Sequence, residues 1–209
     1  CREKLGDIEA ARSDIEAGLS QLDVEASEAQ LVASLFLRRI RGWLAYRSAD
    51  YEGAERELSD VLTLIPPSEA LLEGLSLNLL GIVSYGKGEY ATAQRRLRRA
   101  LTFFDSNDLK RTASCYNNLG LVSCRLGETD SAAEWYEKAV RLHARRGDRG
   151  ALAQAYNNLG SLYGEMANYE KSEKFLRESV RIRERSGHAS LPLGYANLGE
   201  VLLKRTETD

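Results

Sequence analysis

Histidine is nearly absent from this chain of 209 residues, with only His143 and His188 present, 45 positions apart. Together with three cysteines they compose no zinc-ligand set, so no metal or other cofactor is expected. Cys1, Cys115 and Cys124 form no disulfide framework. Cys115 and Cys124 stand nine residues apart, about 900° around a helix at 100° per residue, and face opposite ways. Thiols in a reducing cytoplasm are the expectation. No apolar run approaches the roughly 18 to 20 residues of a membrane helix. Lys and Arg number 29 against 31 Asp and Glu, a net charge of −2. That balance lacks the excess needed to neutralise many phosphates, so nucleic acid is not an expected partner. The start, Cys1-Arg2-Glu3-Lys4, has no apolar signal core, and beginning without Met it reads as part of something longer. Only three prolines and 43% hydrophobic residues describe a folding chain rather than a disordered one.

What the sequence has is a repeat, sought first because it decides the architecture. Tyr116-Asn117-Asn118-Leu119-Gly120 returns as Tyr156-Asn157-Asn158-Leu159-Gly160 and as Tyr195-Ala196-Asn197-Leu198-Gly199. Leu77-Asn78-Leu79-Leu80-Gly81 is a weaker copy, and Arg38 to Gly42 a weaker one still. The glycines at 42, 81, 120, 160 and 199 are spaced by 39, 39, 40 and 39. Twelve residues after each of the first four comes Ala54, Ala93, Ala132 or Ser172. Leu58, Leu97, Tyr136 or Leu176 follows four later, then Val61, Ala100, Ala139 or Ser179. The N-terminus holds a second half without a first, from Gly6-Asp7-Ile8 through Ile15 to Gly18.

Each repeat carries two stripes at i, i+3, i+4, i+7, the sign of an amphipathic helix. In the third they are Tyr116, Leu119, Gly120 and Ser123, then Ala132, Trp135, Tyr136, Ala139 and Val140. Small residues let two helices approach, and the large residue fills the space beside them. Gly and acidic residues at the turns end one helix and cap the next. Pro66-Pro67 breaks the chain, and Pro192 suits the first turn of a last helix.

The order Tyr156, Leu159, Gly160, Tyr163 and then Ala132, Tyr136, Ala139 resembles the tetratricopeptide repeat. Its usual period is about 34 residues; the longer one with Asn-Leu-Gly is similar to kinesin light chains and Leu-Gly-Asn polarity proteins. It is also similar to bacterial regulators such as the maltose activator and quorum-sensing peptide receptors. The fold implied is all-α, a right-handed α-solenoid of tandem helical hairpins forming one array over 1–209. Its parts are a half repeat at 1–25 (second helix only), repeats at 28–66, 67–106, 107–147 and 148–188, and a half repeat at 189–205 (first helix only). Such stacks bury their faces only against neighbours. Leu198, Val201 and Leu202 therefore lack a covering helix, and either the array continues or the ends pair with another copy.

No catalytic constellation is present. Gly86-Lys87-Gly88 is a turn without a preceding strand, and there is no Gly-x-Ser-x-Gly elbow. The chain is expected not to be an enzyme, with His143 in a surface or helix-end role. In the family that the repeat resembles, the first helices line a concave groove that holds a protein or peptide. Carried over by position, the groove residues are Arg39, Trp43, Tyr46, Asn78, Tyr85, Asn117, Asn118, Leu121, Asn157, Asn158, Ser161 and Asn197. An asparagine amide both donates and accepts, so a row of them can hold an extended peptide backbone. The other reading is that Asn118, Asn158 and Asn197 bond a neighbouring helix, which leaves Asn117 and Asn157 as the binding pair. The clamp of chaperone-binding relatives is missing: Arg39 and Trp43, Leu79, then Ser114 and Asn118 occupy its positions. Arg95, Arg96, Arg98 and Arg99, and Arg177, Arg181, Arg183 and Arg185, fall on second helices as solvated faces. The expected function is a protein- or peptide-binding scaffold, a regulatory segment of a larger bacterial signalling or transcription protein. The alternatives are an effector or peptide sensor and self-association through the end helices.

Overall fold

A computed structural model describes residues 2–20, 27–104, 108–186 and 191–207. Cys1 and His188 lie outside the described residues. The described residues form ten helices and no strand, in two compact units, Cys1–Phe104 and Asp105–Asp209. The first holds α1 (Arg2–Ser20), α2 (Glu28–Arg47), α3 (Tyr51–Leu64), α4 (Ala70–Gly86) and α5 (Tyr90–Leu101). The second holds α6 (Leu109–Arg125), α7 (Thr129–Arg146), α8 (Arg149–Glu165), α9 (Tyr169–Ser186) and α10 (Leu191–Thr206).

Local chemistry sets the helix ends. Asp50, Asp108 and Asp148 accept from the backbone N–H of Gly53, Arg111 and Ala151, at 2.9, 3.1 and 3.1 Å. Ser27 and Gln30 form a reciprocal capping box at the start of α2. Glu89 and Glu128 make no such side-chain bond; Glu89 pairs with Lys87 at 3.2 Å, and Glu128 accepts from the Ser123 hydroxyl at 3.1 Å. α3 stops before the prolines, with Ile65 extended at φ −68°, ψ 127°. The turn inside each hairpin needs one left-handed residue. Gly88 and Gly127 supply it at φ 81° and 74°, while Ala49 and Ala167 adopt it at φ 61° and 56°.

The hairpins close at the repeated glycines. A β-carbon built on Gly81 would stand 2.6 Å from Leu97, on Gly120 2.5 Å from Tyr136, and on Gly160 2.7 Å from Leu176. Only a hydrogen at those positions lets the second helix settle this close. Leu58, Leu97 and Leu176 are fully buried, each worth roughly 1.5–3 kcal/mol. In the first unit Leu35, Val61 and Leu72 form one cluster, and Ala54, Leu58, Leu80 and Val83 belong to the next. In the second unit Ala132, Tyr136, Leu159 and Leu162 pack together, and Leu176, Val180, Leu198 and Val201 close the far end. In the first unit Glu55 ties α3 to α4 and α5 through Lys87 and Arg96, both at 2.7 Å. The hydrogen bond from Lys87, then that from Arg96, hold its carboxyl below the usual carboxylate range.

Three expectations are corrected: Leu198, Val201 and Leu202 of α10 are not left uncovered but pack against Leu176 and Val180 of α9. Arg183 does not lie on a solvated face but is 2% exposed, and His143, in the last turn of α7 as a helix-end role requires, is 4% exposed rather than at the surface. Both follow the core stripe of their helices, 176, 179, 180, 183 and 136, 139, 140, 143, so the i, i+3, i+4, i+7 rule buries them. Arg96 is also drawn in, half-buried and donating to Glu55 and Ser84, while Arg95, Arg98, Arg99, Arg177, Arg181 and Arg185 are exposed. Arg99 meets Glu73 at 2.6 Å and Arg177 meets Glu173 at 2.7 Å.

Candidate interaction site on the first helices

The first helix of one hairpin meets the first helix of the next, α2 with α4, and α6 with α8 and α8 with α10. This is the face on which the groove residues were expected. On α2, Arg39, Trp43, Tyr46 and Arg47 follow the helical period. Trp43 is 41% exposed, and the Arg47 guanidinium carbon lies 5.2 Å from its ring centroid, a cation–π arrangement. Tyr46 instead turns inward, half-buried, with its ring 6.0 Å from that of Tyr51. Burial, helped by the nearby Tyr51 and Tyr85, raises its phenol above the ordinary value. On α4, Asn78 and Tyr85 are half-buried, and Tyr85 lies 5.6 Å from Tyr90.

In the second unit the asparagines bond to one another across helices. Asn158 Nδ2 donates to Asn117 Oδ1 at 2.9 Å, joining α8 to α6, and Asn158 Oδ1 accepts from Gln154 at 2.9 Å. Asn197 Nδ2 donates to Asn157 Oδ1 at 3.0 Å, joining α10 to α8. The same oxygen receives Arg183 at 3.4 Å. The residue expected to be structural therefore donates, in each pair, to the residue expected to bind. Asn157 is only 6% exposed, so its side chain belongs to the helix seam and not to an open face. Asn117 is half-buried; its carbonyl is occupied, and its NH2 group has no partner among the described residues. Asn118 and Ser161 are half-buried nearby, and Leu121 packs against the Tyr136–Leu159 cluster.

Nucleophilic chemistry has no support here. Burial pushes the Cys115 thiol up to about 12, and burial also raises Cys124, whose sulfur lies 3.8 Å from the Tyr136 hydroxyl. Among the described residues no cluster could hold a metal ion, and no helix is long and apolar enough to cross a membrane. A cleft of about 510 Å³ in the first unit, lined by Arg12, Glu16, Arg41, Arg56, Glu57 and Asp60, went unnoticed in the sequence. Its arginines and acids come from three helices, and no spacing rule links them.

Residues 111–185 match the tetratricopeptide repeat family. Comparison with the curated proteins finds no match. The fold is similar to that of BtubC (BKLC) from P. vanneervenii, with a TM-score of 0.80 and 21% identity over 95% of this chain and 83% of that one. It is similar to the apo form of RapI, with a TM-score of 0.74 and 18% identity over 83% of this chain, which spans 64% of that protein. MamA matches with a TM-score of 0.59 and 20% identity over 89% of this chain and 94% of that one. The described residues thus have a fold of tandem helical hairpins, and 111–185 match the tetratricopeptide-repeat family.

Proposed function

We propose that this chain is a non-catalytic protein–protein interaction scaffold, as its match to the tetratricopeptide repeat over 111–185 suggests, and that it takes its partner as an extended peptide on the first helices of its hairpins. The observation that carries this reading is the Asn117–Asn158 pair. Its hydrogen bond holds the Asn117 amide in one orientation and leaves two N–H donors for a backbone carbonyl. Asn118, Ser161 and Asn197 add polar groups in the same unit. In the first unit Arg39, Trp43 and Arg47, with Asn78 one hairpin on, suit a segment bearing an acidic and an apolar side chain. The chain would serve as a regulatory segment of a larger bacterial signalling or transcription protein in the cytoplasm, and Cys115 and Cys124, thiols that form no disulfide, suit that reducing setting.

The test is capture of partners from source lysate by wild type, Trp43→Ala and Asn117→Ala, after thermal melts establish that all three fold. Loss of the same partner from a folded variant supports recognition on this face. Full retention by both variants overturns it.

A further inference from the structure

Charge closes the seam between α3, α4 and α5. Glu55 of α3 receives Lys87 and Arg96, both at 2.7 Å, and Arg96 also donates to the Ser84 hydroxyl. One repeat earlier the matching places hold Arg12 for Glu55, Glu57 for Arg96, Ser48 for Lys87 and Ala45 for Ser84. Arg12 and Glu57 would close this seam with the charges reversed, but Arg41 of α2, where α4 has Leu80, takes Glu57 at 2.8 Å. Ala45 and Gly53 on the wall are too small to fill the gap. What remains between α1, α2 and α3 is the cleft of about 510 Å³. Small-ligand sites commonly measure about 300–1,000 Å³.

The cleft is polarised. Arg12 and Glu16 stand one turn apart on α1, Arg56 and Asp60 one turn apart on α3, and all four are exposed. None of these four side chains has an ion pair or hydrogen bond among the described residues. α2 runs antiparallel to both neighbours. Gly18 lies against Leu37 while Arg12 and Glu16 share the cleft with Arg41 and Ala45, and Gly42 lies against Leu58 while the Asp50 N–H bonds to the Ala45 oxygen. α1 and α3 therefore run parallel, and their two rows point the same way. Arg12 and Arg56 make one end cationic. Glu16 and Asp60 make the other anionic, about 6 Å further along at 1.5 Å per residue. Asp50, at the cationic end, is already engaged with the Gly53 N–H at 2.9 Å. Between the ends sits the Arg41–Glu57 pair, whose Arg41 Nε is buried with no hydrogen-bond partner among the described residues. Each end thus presents two like charges short of a counter-charge.

We propose that this cleft binds a short zwitterion of the dipeptide class. Its carboxylate lies between Arg12 and Arg56, where guanidinium groups form charge-assisted hydrogen bonds, and its ammonium lies between Glu16 and Asp60. Two extended residues reach about 7 Å, which matches the spacing of the two ends. A free α-amino acid has about half that reach and cannot serve both. The small residues Ala45 and Gly53 leave room for the ligand's side chains. This site uses the second helices and is independent of the first-helix face on which the extended peptide is placed.

The experiment is isothermal titration calorimetry of the whole chain with L-alanyl-L-alanine. Expected is saturable one-to-one binding, weakened about tenfold or more by Arg12→Gln with Arg56→Gln, and equally by Glu16→Gln with Asp60→Asn. Acetylating the dipeptide's amine or amidating its carboxyl should weaken it as much, and Trp43→Ala should leave it unchanged. The four replaced residues are exposed, so the variants fold, as their melting curves will show. Absence of saturable heat, or equal binding of free alanine or of the doubly blocked dipeptide, overturns the proposal. Tighter binding of a blocked alanine tetrapeptide overturns it in favour of an internal segment of a polypeptide as occupant.

Discussion

Asn197 donates an amide hydrogen to the side-chain oxygen of Asn157 at 3.0 Å and so fastens α10 to α8. The two residues are 40 positions apart and belong to successive copies of one repeat. With Arg183 at 3.4 Å on the same oxygen, Asn157 is a buried junction between three helices.

Asn157→Ala therefore takes an acceptor from two donors in a closed seam. Removing a buried partner costs about 1–3 kcal/mol, and urea denaturation should show a loss in that range. Asn158→Ala acts on a half-buried pair, where water can replace the missing group, and its cost should stay below about 1 kcal/mol. Equal losses would mean that burial does not separate the two pairs.

Glycine to alanine should have opposite signs at two equivalent positions. Gly120→Ala would put a β-carbon 2.5 Å from the Tyr136 ring, and such overpacking costs typically about 1–3 kcal/mol. At Gly199 the same change meets open space and gains up to about 1 kcal/mol of helix propensity. Thermal melts of the two variants test this directly.

The left-handed turn residues offer a stabilising change. Ala49 and Ala167 occupy at φ 61° and 56° the position that Gly88 and Gly127 hold elsewhere. An L-residue there is strained by roughly 1–2 kcal/mol, partly offset by the greater unfolded-state freedom of glycine. Ala167→Gly should raise stability by about 0.5–1 kcal/mol, and Gly127→Ala should lower it by a similar amount. Denaturant midpoints at constant slope give the comparison.

Stability should fall on mild acidification. Burial lowers the pKa of His143, and the Arg146 charge also lowers it while Asp148 opposes them. A folded-state value below the unfolded one means that the unfolded chain binds the proton first. The contribution is thus complete above the unfolded value near 6.5 and is lost as pH falls below it. Melting temperatures between pH 7.5 and 5.5 should drop, and by less in His143→Phe.

Much of this fold is legible in the sequence because its information is local and periodic. Gly81 with Leu97, and Gly120 with Tyr136, are 16 residues apart, so one hairpin suffices to relate them. The same stripe spacing predicts burial of His143 and Arg183, but residue type argues against it, and reading the charge alone put Arg183 outside. The site was less legible. Asn117 and Asn157 hold the same place in two repeats, yet one is half-buried and the other closed. What separates them is the helix beyond, since Asn197 and Arg183 close on Asn157.

The sequence by itself determined the all-α class, the helical period and the glycine notches, because each follows from sterics within a turn or a hairpin. Only the tertiary structure decided which amides bond to each other and which arginine is buried. Those outcomes depend on the register of helices about 40 residues apart, and no local pattern records what a neighbouring helix brings to a seam.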